Sequence, residues 1–226
     1  MIERTCVIIG LDMYLNKYPR YKDATANDFV MIKNYLEWKR SNKNCTFEEW
    51  CGEDESKVRT DLIDFYKQKK YTRHFDWDKN DTCAYETIFT EIAYWRKANE
   101  IHNYFVEYAQ HGVDDCRTYD VSKKQLEDLL YKCKEVKRIA VLEKSKVVNG
   151  YTFQNGKEIP MYEDGEVIAN ADEVAAILPT QGGFFFGSTD YDKYYMEDIN
   201  YTIDVLERVL AETDFDTEAV CYHSSW

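Results

Sequence analysis

The sequence predicts an α+β protein in which several helices pack on a small mixed or antiparallel sheet. Helix and strand patterns both occur along the 226 residues, but they do not alternate strictly enough for a doubly wound sheet. Three Asn-Gly or Asp-Gly pairs interrupt extended runs between 149 and 165, and such pairs are the strongest short-range hairpin signal. With 44% hydrophobic residues, the chain can bury its own core, so we expect a single domain over residues 1–226.

The chain opens on a pattern typical of a buried strand. Residues 4–15 form a short, β-branched apolar run. Asp12 interrupts this run, and a carboxylate among apolar neighbours must be paired or face a cavity. Asp12 is therefore either a turn residue at the end of the strand or part of a site.

Residues 22–70 are charged and mostly helical in pattern. Amphipathic spacing predicts a helix over 25–41, a capping box at Thr46 and Glu49 predicts a second, and Ser56 begins a third. We interpret the segment at about 22–70 as a helical insertion beside the core. The alternation that follows, over 70–77, predicts a strand.

The longest helix pattern runs from about Tyr85 to Gln110 and ends at His111-Gly112, since glycine commonly terminates a helix. One face of this predicted helix is apolar. The adjoining stripe is polar and aromatic, because residues three and four apart are neighbours on a helix surface. This stripe, which we expect to wall a cleft, comprises Trp95, Arg96, Asn99, His102 and Asn103.

The remainder of the chain alternates between strand and helix signals. Ser122 and Gln125 predict the start of a helix to about Ser145, and a β-hairpin excursion is expected at about 146–168. Gly183–Gly187 encloses three phenylalanines and predicts a central strand. Further expectations are an extended piece at 117–121, a short helix after Asn170, a last helix capped by Ser188 or Thr189, and a last strand at 218–222.

Charge is distributed unevenly between the two parts of the chain. Residues 1–149 hold 26 acidic and 26 basic side chains, whereas 150–226 hold 16 acidic and 3 basic, which accounts for the net charge of −13. Affinity for nucleic acid depends largely on Lys and Arg, so direct nucleic-acid binding is disfavoured. The acidic part is either a solvated face or a mimic of nucleic acid that occupies a basic groove.

Composition also predicts the compartment. No apolar run approaches the about 18 residues of a membrane helix, and no secretory leader is recognisable, so we expect a cytoplasmic protein without membrane contact. The seven cysteines are odd in number and lack CxxC spacing, which favours reduced thiols over disulfides or zinc.

Several short blocks resemble a family of uncharacterised proteins from tailed bacteriophages and prophages. These blocks are Gly10-Leu-Asp-Met-Tyr-Leu15, Tyr94-Trp-Arg-Lys-Ala-Asn99 with Ile101-His102, Gly112-Val-Asp-Asp-Cys116, Leu178-Pro-Thr-Gln181, Gly183-Phe-Phe-Phe-Gly-Ser-Thr-Asp-Tyr-Asp192 and Ser224-Ser-Trp226. The resemblance implies a phage protein acting in the host bacterial cytosol, with a site built from these blocks. It brings no assigned activity, and the segments at about 22–70 and 146–168 look like additions to the family pattern.

Two of these blocks, 94–102 and 179–191, are richer in hydrogen-bonding and aromatic side chains than a core or ordinary surface requires. We expect them to meet and to bind a small polar or planar ligand or a host protein. The alternative is an internal polar network that fixes packing. The candidate ligand-binding residues are Trp95, Arg96, Asn99, His102, Gln181, Phe184, Ser188, Thr189, Asp190 and Tyr191.

Catalytic, metal and cofactor chemistry have weaker support, and we expect no cofactor. Cys116 or Ser188 with His102 and a nearby Asp would supply a nucleophile, base and orienting acid, but neither set has a local signature. His102 with Asp114 and Asp115 lacks the spacing of a helical ligand pair. Phosphate binding by the Gly-Ser-Thr segment is opposed by the carboxylates that follow it.

We therefore expect a non-catalytic accessory protein of phage type, which binds a nucleotide-like ligand or a host protein, and countering host defence is one role that this setting suggests. One alternative is an acidic nucleic-acid mimic that inhibits a host nuclease. Another is a small-substrate enzyme that uses His102 with a carboxylate as acid and base.

Overall fold

The protein has an α+β fold in a computed structural model that describes residues 10–41, 45–78, 81–154, 157–183 and 185–226. The strands are β1 Asp12–Pro19, β2 Tyr71–Asp78, β3 Asp81–Thr87, β4 Thr90–Arg96, β5 Tyr119–Val121, β6 Leu142–Gln154, β7 Lys157–Ile168 and β8 Glu218–Ser225. The α-helices are α1 Ala26–Ser41, α2 Phe47–Cys51, α3 Ile63–Lys69, α4 Asn99–Tyr108, α5 Lys123–Ile139, α6 Ala171–Ala175 and α7 Lys193–Glu212. Short 3-10 turns at Glu55–Lys57 and Thr60–Leu62 precede α3.

The central sheet has four antiparallel strands in the order β4-β1-β8-β5. β1 pairs along its whole length with β8, so the beginning and end of the described chain lie side by side. Two separate two-stranded sheets, β2-β3 and β6-β7, complete the strand pairing of the described residues. The antiparallel alternative within the predicted fold class is thus the observed one.

Alternation along the strands gives the central sheet two different faces, because successive side chains point to opposite sides. One face, with Met13, Leu15 and Trp95, packs against α4, α5 and α7 in the larger core. The opposite face, with Tyr18 and Cys221, packs against α1, α2 and α3 in a second core. The sheet is therefore the middle layer between two groups of helices.

The expected helix over about 85–110 is wrong in its first half. Residues 81–87 and 90–96 form β3 and β4, and α4 begins only at Asn99. β-Branched Thr87, Ile88, Thr90 and Ile92 favour strand over helix here, and Lys97 then turns the chain with a φ of +62°. Trp95 and Asn99 are therefore not neighbours on one helix face.

The expected central strand at 183–187 is also wrong, because Gly183 and residues 185–187, which the structure describes, are not part of any strand. Phe186 N donates to Gly183 O (3.2 Å), and a Cβ at Gly183 would lie 2.6 Å from the Phe186 ring. Glycine allows this close approach, and the turn directs Phe186 into the core. The last helix is capped by Asp192 instead of Ser188 or Thr189, with Oδ1 accepting from Tyr194 N at 2.8 Å.

Other boundaries differ more modestly from expectation. α5 ends at Ile139, six residues before the expected end, because β6 starts at Leu142. β6 and β7 pair up to Gln154 and Lys157, on either side of 155–156, while Gly150 lies at a bulge and Gly165 lies within β7. The part of the first predicted strand at residues 4–9 lies outside the described residues. Among the described helices, none has the length and apolarity that crossing a bilayer requires.

Candidate functional site

The two blocks meet through the side chain of Asn99. Its Nδ2 donates to Phe186 O (3.2 Å) and Ser188 O (2.7 Å), and its Oδ1 accepts from Gln181 N (3.0 Å). Asn99 is buried in the first turn of α4, so the 181–188 loop is fixed to the start of that helix. A buried side chain with three such partners anchors the loop firmly.

An open recess of about 760 Å³ lies beside this junction. This volume is within the range of ligand pockets, roughly 300–1,000 Å³. We call it the acidic recess, because five carboxylates and only two cationic side chains line it. Its charged lining residues are Glu100, Asp190, Asp192, Glu197, Asp198, Arg96 and Lys97, and the bulge of β6 with Tyr151 forms the opposite wall.

Glu100 is the most unusual group in the acidic recess. It is 2% exposed, and its Oε1 has no hydrogen-bond partner. Burial, with the nearby Asp198 carboxylate adding to it, raises the pKa of Glu100 well above its ordinary value. A buried carboxyl oxygen without a hydrogen-bond donor costs free energy and is uncommon in folded proteins.

Asp198 is the second perturbed carboxyl of the recess. It lies one turn into α7, and burial raises its pKa to about 7, with the charges of Glu197 and Asp192 adding to the effect. The buried Glu100 carboxyl and the half-buried Asp198 carboxyl resist simultaneous ionisation, so they titrate as a pair. Such perturbed groups in a cleft are typical of functional sites.

Two of the five described non-glycine residues with a positive φ line the acidic recess. Lys97 and Phe185, which both line it, have φ values of +62° and +80°. These values are unfavourable for residues with a side chain, and such strain is common at ligand sites. Gly187 permits the close approach, since a Cβ there would lie 3.2 Å from Lys97 Cβ.

The β6-β7 hairpin is attached to the recess by Glu163. Its carboxylate accepts from Asn149 Nδ2 (2.9 Å) and Tyr194 Oη (2.6 Å), and it forms an ion pair with Lys193. These hydrogen bonds, with that from Lys193 the largest contributor, lower the pKa of Glu163 to about 2. The bonds fix one wall of the acidic recess to the first turn of α7.

The predicted site residues divide between the recess, the core and the loop. Arg96, Asn99, Ser188 and Asp190 line the acidic recess. Gln181, Thr189 and Tyr191 lie in or beside the supporting loop, where Tyr191 Oη accepts from Thr180 N at 3.1 Å and Gln181 Oε1 is buried without a partner. Phe184 lies outside the described residues.

Trp95 and His102 belong to the interior. Trp95 is 2% exposed, and its Nε1 donates to Thr202 Oγ1 at 2.9 Å. His102 is fully buried between Tyr222 Oη (2.7 Å) and Asp114 Oδ2 (2.9 Å). Burial lowers the pKa of His102, which favours a neutral ring held in a structural chain of hydrogen bonds.

Neither nucleophile considered for catalysis has His102 as an available base, because Tyr222 Oη and Asp114 Oδ2 engage both of its ring nitrogens. Ser188 and Asp190 line the acidic recess, whereas His102 lies in the core, so this set has no base at its hydroxyl. Burial raises the pKa of the Cys116 thiol, which disfavours the reactive thiolate. No group of three or more His, Cys, Asp or Glu suitable for a metal ion is found within the described ranges.

Sequence reasoning missed Glu100 and Asp198. Acidic side chains normally occupy solvent-exposed helix positions, and neither residue was a candidate, although Glu100 lies within the 94–102 block. The available signal was the set of apolar and aromatic residues near Glu100 in the sequence, namely Ala98, Ile101, Tyr104 and Phe105. Comparison of the chain with protein-family models, curated proteins and solved structures finds no match.

Proposed function

We propose that the protein is a non-catalytic accessory protein that binds a small organic cation in the acidic recess. The observation that carries this proposal is the buried Glu100 carboxyl, whose Oε1 lacks a partner at the lining of an open recess. An ammonium or guanidinium group would supply the missing donor. Charged hydrogen bonds of this kind are stronger than neutral ones.

The electrostatics of the recess favour a cation over the nucleotide expected from the sequence. A nucleotide phosphate would face Asp190, Asp192 and Asp198 with Arg96 and Lys97 as the cationic lining groups. Asp192 already occupies the start of α7, where an anion would otherwise be stabilised. A phosphate-free ligand with hydrogen-bond donors fits this lining better.

Proton release follows from the perturbed pKa values. In the free protein, the raised pKa of Glu100 keeps its carboxyl protonated at pH values at which an ordinary glutamate is already ionised. A bound cation stabilises the ionised form, so binding lowers that pKa and releases a proton. Affinity should consequently rise with pH until the Glu100 and Asp198 pair is ionised in the free protein.

The proposal also retains the expected phage setting. The resemblance to phage proteins supports a role as an accessory protein in a bacterial host, and capture of a small cationic metabolite is one way to interfere with host physiology. The same donor chemistry occurs in a partner's Lys or Arg side chain. We commit to the free small molecule because the recess has a ligand-sized volume.

Isothermal titration calorimetry with putrescine and succinate tests the proposal, because these probes have four carbons and opposite charges. Putrescine should bind, with tighter binding at pH 8 than at pH 6 and with proton release measured in two buffers. Glu100→Gln should weaken binding at least about tenfold, equivalent to 1.4 kcal/mol. Glu212→Gln, which removes an exposed carboxylate at the end of α7, is the matched control and should not change it.

Two outcomes would contradict this function. Preferential binding of succinate would show that the recess does not select cations. Putrescine binding that Glu100→Gln leaves unchanged would show that the buried carboxyl is not the recognition group.

A further inference from the structure

A second pocket of about 440 Å³ lies on the opposite face of the central sheet. It is formed where β1 and β8 meet α1 and the β2-β3 hairpin. We call it the aromatic pocket, because rings from four residues line it. These ring residues are Tyr14, Tyr85, Phe89 and His223, and its polar lining includes Asn16, Asn34, Lys33, Arg73, Glu91 and Ser225.

The aromatic pocket exists because this face of the sheet extends beyond its helical cover. Tyr18 and Cys221, on the same face, are buried under the second core. Tyr14 and His223 lie further along the same strands and are paired directly across β1 and β8. They are only half-buried, so the covering core ends before the strands do.

The exposed end of this face is aromatic and polar in composition. The Tyr14 and His223 rings stack with centroids 4.8 Å apart and planes 13° apart. Cross-strand aromatic pairs of this kind stabilise a sheet and also present a rigid flat surface. A rigid ring surface binds a planar ligand at low entropic cost.

Hydrogen-bond donors surround these rings. Asn16 Nδ2 lies 3.4 Å from His223 Nδ1, and burial lowers the pKa of His223 to about 4, which favours the neutral ring. Arg73 and Lys33 add cationic donors at the side walls, where Arg73 also bonds Glu91 at 3.1 Å. Ser225 Oγ is buried without a partner at the same lining.

We infer that the aromatic pocket binds a planar heteroaromatic molecule of nucleobase size, through ring contacts with Tyr14 and His223 and hydrogen bonds from the surrounding polar groups. Rings supply stacking, and ring nitrogens and carbonyl oxygens of the ligand accept the donated protons. The inference is independent of the acidic recess, because the two share no lining residue. It also places planar-ligand recognition outside the two sequence blocks.

Saturation-transfer NMR and calorimetry with adenosine, guanosine, cytidine and uridine test this inference on the full chain. At least one nucleoside should bind saturably and transfer magnetisation through its base protons. Tyr14→Leu should weaken that binding about 5- to 100-fold, the range for loss of one stacking contact. Tyr162→Leu, which removes a 61% exposed ring on β7, is the matched control and should leave the affinity unchanged.

A second variant keeps the test decisive if Tyr14→Leu fails to fold. Asn34→Leu changes a half-buried rim residue of α1 and should weaken nucleoside binding at least threefold while circular dichroism stays unchanged. Absence of saturable binding by all four nucleosides would overturn the inference. Binding that survives both variants but disappears in Glu100→Gln would assign the nucleoside to the acidic recess and would also overturn it.

Discussion

The two faces of the central sheet carry cavities of opposite chemistry. The acidic recess lies on the side of the larger core, and its unusual group is the buried carboxyl of Glu100, whose Oε1 lacks a hydrogen-bond partner. The aromatic pocket lies on the side of the second core, where stacked rings and neutral or cationic donors dominate. The sequence predicted one site for a small polar or planar ligand, whereas the structure places the carboxylate-lined and the ring-lined cavities on opposite faces of a sheet.

The largest expected effect comes from the core that supports the acidic recess. Trp95→Ala removes a buried indole and its hydrogen bond to Thr202, so the free energy of unfolding should fall by about 3–5 kcal/mol. Tyr14→Ala changes a half-buried ring of the aromatic pocket and should cost about 1–2 kcal/mol. Urea denaturation measures both, and equal losses would contradict the contrast between packed core and open pocket.

The next effect concerns the junction of the two blocks. Asn99→Ala leaves Phe186 O, Ser188 O and Gln181 N without their partner, so the protein should lose about 1–3 kcal/mol of stability. The 181–188 loop should also become accessible to a protease under conditions that leave the remainder of the fold intact. Unchanged stability and proteolysis would show that Asn99 does not anchor the loop.

Glu100→Gln should stabilise the protein at high pH even though it removes the proposed recognition group. The pKa of Glu100 is raised by folding, so its cost is absent below the unfolded value of about 4.3, grows as pH rises from there to the folded value, and is constant at higher pH. The variant lacks that cost and should gain on the order of 1 kcal/mol or more at pH 8 over wild type, with almost no gain at pH 4. Thermal or urea unfolding across this range measures the difference.

If the difference in unfolding free energy between Glu100→Gln and wild type does not change with pH, folding does not raise the pKa of Glu100. If Glu100→Gln is more stable but binds putrescine less well, the result would match the trade-off between stability and function that is common at binding sites. A Glu100→Gln variant that loses both stability and putrescine binding would indicate that the Glu100 carboxyl has a purely structural role.

The smallest effect concerns the exposed attachment of the β6-β7 hairpin. Glu163→Gln removes the ion pair with Lys193 and weakens the bonds from Tyr194 and Asn149, so hairpin amides should exchange faster with solvent. Global stability should hardly change at pH 7. In wild type, the lowered pKa of Glu163 means that this attachment is lost only as pH falls from the unfolded value toward about 2.

Hydrogen exchange measured by mass spectrometry reports the hairpin directly. Faster exchange restricted to β6 and β7 supports the attachment. Exchange that increases equally over α4 and α7 would show that Glu163 stabilises the whole fold instead.

Local signals in the sequence explain what could be predicted. The capping boxes at Thr46 with Glu49 and Ser122 with Gln125 are both present, because they depend only on residues three apart. The fold class and the contact between the two blocks could likewise be predicted from the sequence. The strand at β4 was not, because Tyr94, Ala98 and Ile101 also satisfied helical spacing, and only sheet pairing with β1 decided the outcome.

Both cavities depend on tertiary burial, and this explains why their defining residues were missed. Glu100 is an ordinary acidic residue of a first helical turn until α5 and α7 bury it. Tyr14 and His223 are far apart in the sequence and meet only because β1 and β8 are neighbours. A single sequence contains no local signature of either arrangement.

The central claim is that folding holds Glu100 protonated at the lining of an open recess. Carboxyl-carbon NMR of protein labelled at glutamate, with Glu100→Gln used to assign the signal, measures its titration directly. We predict that the Glu100 carboxyl titrates with a midpoint well above about 4.3 in the free protein and with a lower midpoint when putrescine is bound. A Glu100 signal that titrates at the ordinary glutamate value, with no response to putrescine, would contradict the claim that folding holds Glu100 protonated.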